Sequence, residues 1–274
     1  SQKFNFHDAR FVLERASARE TAARVAAGCF ARQFLAQFKV HIASHTIQVG
    51  HVRLERAAAW EEIRAVCEDL ESPLRCVDAE IQKKMMADVD AALKAGDTVG
   101  GVFEIVAHGV PVGLGSHAQW DEKLDGKLAR ALMSVQAVKA VEIGAGVLAA
   151  GSYGSEVQDE ISYDKKARRF RRASNRAGGL EGGITNGEDV VVRGYLKPIS
   201  TLRKPMATAD MVTKEPVRAA YERSDWCVVP AGGVAGEAMV ALVLADAFLQ
   251  KFGGDSLAET RRNFEGYGRQ IDEF

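Results

Sequence analysis

The segment Arg15-Ala-Ser-Ala-Arg-Glu-Thr21 places two guanidinium groups and a hydroxyl at a predicted helix N-terminus. Unpaired backbone N–H groups and the helix dipole favour an anion at such an end, and arginine adds bidentate geometry. The same residues also fit a capped surface helix with solvated arginines, in which Ser17 and Glu20 form a capping box. A second set, Lys197-Pro-Ile-Ser-Thr201, closes a predicted strand. A point charge followed by adjacent hydroxyls suits phosphate oxygens, and Pro198 fixes the turn, although an ordinary strand exit has the same composition. The third set is the glycine-rich run 175–187, Asn175-Arg-Ala-Gly-Gly-Leu-Glu-Gly-Gly-Ile-Thr-Asn-Gly187. Glycine lets backbone approach a ligand closely. The run matches neither GxGxxG before a helix nor a Walker loop, so neither a dinucleotide fold nor an NTPase follows.

Other candidates carry less. His41, His45 and His51 lie on or near a predicted strand, the first two on one side of it, with no cysteine or acidic pair at zinc spacing. The basic run Lys165-Lys-Ala-Arg-Arg-Phe-Arg-Arg172 reads as a solvated loop or hairpin. Asp225 follows Arg223 and Ser224 and precedes an apolar stretch, the usual place of a cap or an ion-pair partner.

The elements that must position these residues are legible from periodicity. Ala22, Val25, Ala26, Cys29, Phe30, Phe34 and Phe38 make one apolar helical face. Alternation predicts strands over 41–49, 102–108, 138–143 and 190–196. Residues 52–72 have helical character, broken at Ser72-Pro73. Further helices are expected over 78–94, closed by Gly96, over 124–133 and over 236–252, and a last one opens at a second capping box, Ser256 to Glu259. Irregular interleaving of strands and helices favours an α+β fold with antiparallel sheets over a doubly wound one, and residues 1–274 read as a single domain.

Thirty-six basic against 37 acidic residues leave a net charge of −1, which removes the global electrostatic case for a nucleic-acid binder. Mean hydropathy is −0.13, and with no unbroken apolar run of membrane length seen, no spanning helix and no membrane partner are expected. Cys29, Cys67, Cys76 and Cys227 show neither CxxC spacing nor scaffold density, so reduced thiols in a cytoplasmic protein are expected. The chain starts at Ser1 in mixed polar and aromatic sequence, which reads as an excision from something longer.

Taken together these segments resemble the chorismate synthase family, from about Phe6 to Tyr267. The motifs are the run from Arg15 to Val25, Ser44-His45, Gly96-Asp-Thr-Val-Gly-Gly101, Gly109-Val-Pro-Val-Gly-Leu-Gly115, Val141-Glu-Ile-Gly144, Asn175-Arg-Ala-Gly-Gly179, Lys197-Pro-Ile-Ser-Thr201 and Arg223-Ser-Asp225. The ending Phe252-Gly-Gly-Asp-Ser-Leu-Ala-Glu-Thr260 looks like the branch found in actinobacteria and their relatives. The resemblance implies a lyase that completes the shikimate pathway of aromatic amino-acid biosynthesis. It would convert 5-enolpyruvylshikimate 3-phosphate to chorismate and phosphate by a 1,4-anti elimination that needs reduced FMN. It also implies antiparallel sheets sandwiching helices, and a homotetramer. Whether such a chain reduces its own flavin, with NADP as the carrier, or borrows reducing power stays open.

Residue by residue, the resemblance makes Arg15, Ala16 and Ser17 a flavin-contacting motif, with Gln136, Ala137 and Gly182 as further flavin contacts. It gives Lys197, Pro198, Ile199, Ser200 and Thr201 the flavin phosphate. Arg223 is placed on both the flavin and the substrate side, Ser17 and Arg19 on the substrate, and Asp225 beside the flavin N5 as the residue that manages a proton. The family pattern begins with a GESHG motif, substrate arginines and a second histidine in an HAD-like motif, none of which lies in these residues; His7 falls downstream and does not inherit that role. The chain is therefore expected to be an excerpt or a truncated protein, the latter poorly active for want of general-acid help. A second reading, from another class, is a non-catalytic anion- or RNA-binding module using residues 165–172. It lacks an aromatic platform for stacking bases.

Overall fold

The computed structural model describes residues 1–221 and 225–274. After a 3-10 turn (Gln2–Phe4) come α1 (Arg10–Ala16), a second 3-10 turn (Ala18–Glu20), α2 (Thr21–Ala36), β1 (His41–Val49), β2 (Val52–Arg53), α3 (Trp60–Glu68), α4 (Ala79–Ala95) and β3 (Gly101–His108). Next come α5 (Leu124–Met133), β4 (Val138–Ile143), α6 (Val147–Ala150), α7 (Gly154–Val157), and the ribbons β5 (Ile161–Asp164) with β6 (Arg169–Arg172) and β7 (Leu180–Glu181) with β8 (Ile184–Thr185). Strand β9 (Val190–Leu196), the ribbon β10 (Ala207–Ala209) with β11 (Pro216–Arg218), α8 (Val229–Phe252) and α9 (Leu257–Glu273) complete it.

Among the described residues five strands form one antiparallel sheet in the order β2-β1-β3-β9-β4, and the remaining sheets are the three ribbons. This is the α+β class with antiparallel pairing that the pattern predicts. Burial alternates along β9: Val190, Val192, Gly194 and Leu196 are buried, and Val191, Arg193 and Tyr195 are half-buried. That two-residue period puts the first set beneath α8. Helices α2 and α5 flank α8 on the same side, and α3 packs on the opposite face over β1 and β3. One apolar cluster joins Phe103 and Ile105 of β3, Leu128 and Leu132 of α5, Leu244 and Phe248 of α8, and Leu35 of α2. Each such side chain contributes roughly 1.5–3 kcal/mol by leaving water.

Helix α8 begins seven residues before the start at Gly236 that periodicity predicts, taking in Gly232 and Gly233 as well. Glycine is a poor helix former, costing about 1 kcal/mol each against alanine. Here it permits close approach to the sheet: a Cβ on Gly236 would stand 2.6 Å from Ile105 Cδ1, and one on Gly233 would stand 2.7 Å from Ser44 Oγ. The expectation that no segment is long and apolar enough to span a membrane needs correction. Helix α8 has 24 residues, and its most apolar window has a mean hydropathy of 1.6. Its apolar character matches its place between α2 and the sheet, where most of its residues are buried.

Two further expectations change in detail. Of residues 52–72 only α3 is helical, after a two-residue strand. At α9, Ser256 Oγ accepts the Glu259 N–H (3.2 Å), but the Glu259 carboxylate takes the N–H of Asp255 (3.0 Å) rather than that of Ser256, so the capping box is half formed.

Candidate functional site

One end of the sheet collects most of the residues singled out above. Strands β4 and β9 are antiparallel, with Val138 opposite Leu196, so the turn that leads into β4 lies beside the exit from β9. There the Lys197 N–H donates to the Ala137 carbonyl (3.0 Å). Ala137 holds a positive φ of 67°, unusual for a residue with a Cβ, which turns the chain sharply between α5 and β4. Thr98, just before β3, donates its hydroxyl to the Ile199 carbonyl (2.7 Å). The Val99 N–H donates to the Trp226 carbonyl (3.0 Å), which brings the residue after Asp225 to the same end. Lys197, Pro198, Ser200 and Asp225 are exposed there.

The start of α2 reaches this end through side chains. Gln136 Nε2 donates to Glu20 Oε1 (2.5 Å), and Arg24 grips the same carboxylate through Nε (2.9 Å) and Nη2 (2.5 Å). Arg24 Nη1 also donates to Ser134 Oγ (2.7 Å). Hydrogen bonds from Arg24 and then from Gln136 hold Glu20 below the usual carboxylate range. The predicted capping box at Ser17 is therefore corrected: Glu20 does not reach back to Ser17, because Arg24 and Gln136 engage it. The Ser17 hydroxyl accepts from the Arg19 N–H (3.3 Å) and caps the 3-10 turn that runs into α2.

Arg15 and Ala16 close α1 and are exposed, and Arg19 pairs with Glu14 at 2.6 Å, both side chains facing solvent. Gly182 stands apart from the other candidates. Its turn packs at the start of α5, where the Leu124 N–H donates to the Gly183 carbonyl (3.0 Å). Gln136 follows the far end of that ten-residue helix, about 15 Å away. A Cβ on Gly182 would meet nothing within 4 Å, so its backbone faces open space. Arg223 lies outside the described residues.

The basic run 165–172 supplies the turn and strand β6 of the β5–β6 ribbon, where Tyr163 and Phe170 pack edge to face at 5.1 Å. Together with α9 it lines a cleft of about 970 Å³ away from the sheet end described above. Sequence reasoning missed a buried charged network on the sheet face opposite α8. His45 Nε2 lies 3.0 Å from Glu104 Oε1, Arg193 bonds Glu104 (2.7 Å) and Glu142 (3.3 Å), and the Tyr195 hydroxyl donates to Glu142 (2.5 Å). Burial pushes Glu104 up, but the His45 hydrogen bond and the Arg193 charge outweigh it and hold the carboxyl below its usual range. Arg193 and Tyr195, two positions apart on β9, and the lone Glu104 in apolar β3 were the available signal.

Residues 1–249 match the family model described as chorismate synthase. The chain belongs to the chorismate synthase family. It is 61% identical to a chorismate synthase of Solibacter usitatus, over 99% of this chain and 70% of that protein. With a chorismate synthase of Saccharopolyspora erythraea it shares 55% identity, covering 97% of this chain and 66% of the relative. A crystal structure of chorismate synthase superposes with a TM-score of 0.86 at 41% identity, over 100% of this chain and 76% of that one. The chorismate synthase family is an enzyme family, so the non-catalytic reading of residues 165–172 finds no support. Helix α9 lies beyond the residues that the family model matches.

Proposed function

We propose that the chain is a lyase that forms chorismate and phosphate from 5-enolpyruvylshikimate 3-phosphate by 1,4-anti elimination, with reduced FMN bound at the sheet end. The observation that carries this is the junction of Ala137 with Lys197, since it makes one surface of two segments separated by 59 positions in the chain. The donor set suits a phosphorylated flavin. Lys197 offers a charge and Ser200 a hydroxyl for the phosphate, while Gln136 Oε1 is buried with no partner among the described residues and would accept a ring N–H.

Bound in its reduced form, FMN supplies the electron-rich partner that such an elimination needs. The residues of the chain bind, orient and screen. Arg15, Ala16, Ser17, Gln136, Ala137, Gly182 and the segment from Lys197 to Thr201 would hold the flavin, Gly182 from the other end of α5. Ser17, Arg19 and Arg223 would hold the anionic substrate, Arg19 exchanging its exposed partner Glu14 for a substrate oxyanion. Asp225, exposed beside this surface, would accept the proton on a carboxylate oxygen.

We further read residues 1–274 as one domain, because a single apolar cluster draws on residues from Ala31 to Phe252. The four free thiols fit a cytoplasmic protein, and the family supports a homotetramer.

Flavin binding provides the test. Lys197→Ala removes the charge from the phosphate cradle and should weaken FMN binding by about 1.5–3 kcal/mol, the scale of a charged hydrogen bond. A fluorescence titration reads the change, and an unaltered affinity would remove Lys197 from the site.

A further inference from the structure

Gln136 presents an asymmetric amide, and one end of it is committed. Its Nε2 donates to Glu20 Oε1 (2.5 Å), while its Oε1 is buried and finds no partner among the described residues. A carboxylate only accepts hydrogen bonds, so it tolerates the NH₂ end of the amide and repels the carbonyl end. Turning the amide over would set two oxygens against each other. Glu20 in turn is clamped by the Nε and Nη2 of Arg24, whose Nη1 reaches Ser134 Oγ at 2.7 Å, two residues before Gln136. The clamp favours the ionised carboxylate, which preserves its acceptor-only character at neutral pH. Backbone geometry adds to the constraint: Ala137, the next residue, is held at positive φ and bonded to Lys197.

We infer that Glu20, held by Arg24, is a positioning residue that fixes the Gln136 amide with its oxygen free to accept from bound flavin. The inference rests on the reading of Gln136 as a flavin contact. An unpaired buried oxygen is costly, and a donor brought by the ligand relieves that cost. Glu20 sets the polarity of the contact in advance without touching the flavin.

A double-mutant cycle on FMN affinity separates this inference from the reading beneath it. Glu20→Gln keeps size and shape but can either donate or accept, so the amide of Gln136 is released to turn. FMN affinity should fall roughly 5- to 30-fold, the factor that one ordinary hydrogen bond represents. Gln136→Ala should weaken binding to a similar extent, and Glu20→Gln should then have no further effect in the Gln136→Ala background. The absorption band of bound FMN should shift in Glu20→Gln and in Gln136→Ala alike. If Gln136→Ala leaves FMN affinity unchanged, the flavin reading of that residue fails. If Gln136→Ala weakens binding but Glu20→Gln does not, or if Glu20→Gln weakens it equally with Gln136 absent, only the positioning role is overturned. Should Glu20→Gln not fold, Glu20→Asp draws the carboxylate back from Gln136 while keeping a charge for Arg24, and it should show the same coupled loss.

Discussion

At the scale of single residues, the candidate chemistry is carried by one carboxylate among cations and hydroxyls. Asp225 is exposed, and the carbonyl of its neighbour Trp226 is pinned to the Val99 N–H. That bond fixes the backbone next to the carboxylate while leaving the side chain free to meet a ligand. Asp225→Asn keeps the shape and loses the site that accepts a proton, so turnover should fall by about 10²–10⁴, the usual span for general acid–base help. FMN and substrate affinity should change far less, because the lost interaction belongs to the transition state. Parallel loss of flavin binding and turnover, measured by titration and steady-state kinetics, would instead make Asp225 part of the binding surface. The segments proposed for the flavin and its phosphate stand out in sequence because they form contiguous motifs. The link from Glu20 to Gln136 was not legible there, because it joins positions 116 apart and depends on how α2 meets the end of α5. Only the four-residue spacing of Glu20 and Arg24 hinted at a pair.

At the scale of elements, the site depends on two helices that run side by side in the same direction. Gly28 of α2 faces Ala238 of α8, and ten residues further along the chain from each, Phe38, just past the end of α2, packs against Phe248 of α8 with ring centroids 4.5 Å apart. A Cβ on Gly28 would lie 2.6 Å from Ala238 Cα, which is backbone and cannot swing aside. Gly28→Ala gains helix propensity yet should lower stability by about 1–3 kcal/mol through overpacking. It should also weaken FMN binding, since separating the helices moves Glu20 away from Gln136. A melting temperature equal to or above that of the parent would show that the helices part without strain. The bounds of β1, β4, β9 and α5 agree with those read from the sequence, most simply for β9, which buries every second residue. The start of α8 escaped that logic: the helix takes in Gly232 and Gly233, ahead of the start at Gly236 that periodicity predicts, and the closeness of the sheet accounts for glycine there.

At the scale of the whole molecule, charge is balanced overall but not evenly distributed, and the buried share of it dictates the response to acid. Glu104 and Glu142 share Arg193 across β3, β9 and β4, and both are held below the usual carboxylate range. For each, burial raises the value. In Glu104 the His45 and Arg193 contacts more than reverse it, and in Glu142 the hydrogen bonds from Tyr195 and the Val147 N–H and the Arg193 charge do so. A depressed folded value means that the unfolded chain takes up protons first as pH falls below about 4.5. The stability these groups contribute is therefore present above that pH and is lost as pH falls through the folded values. Asp189, which burial pushes up despite its contact with His108, has the opposite sign and offsets part of the loss. The melting temperature should accordingly hold steady from neutrality to about pH 5 and then drop. Glu104→Gln should melt lower at pH 7, because the variant cannot balance Arg193, but its fall between about pH 5 and 3 should be shallower than the parent's, since one coupled proton is gone. Parallel melting curves for the two proteins across that range would mean that acid sensitivity arises elsewhere, at paired carboxylates such as Glu20 outside the sheet.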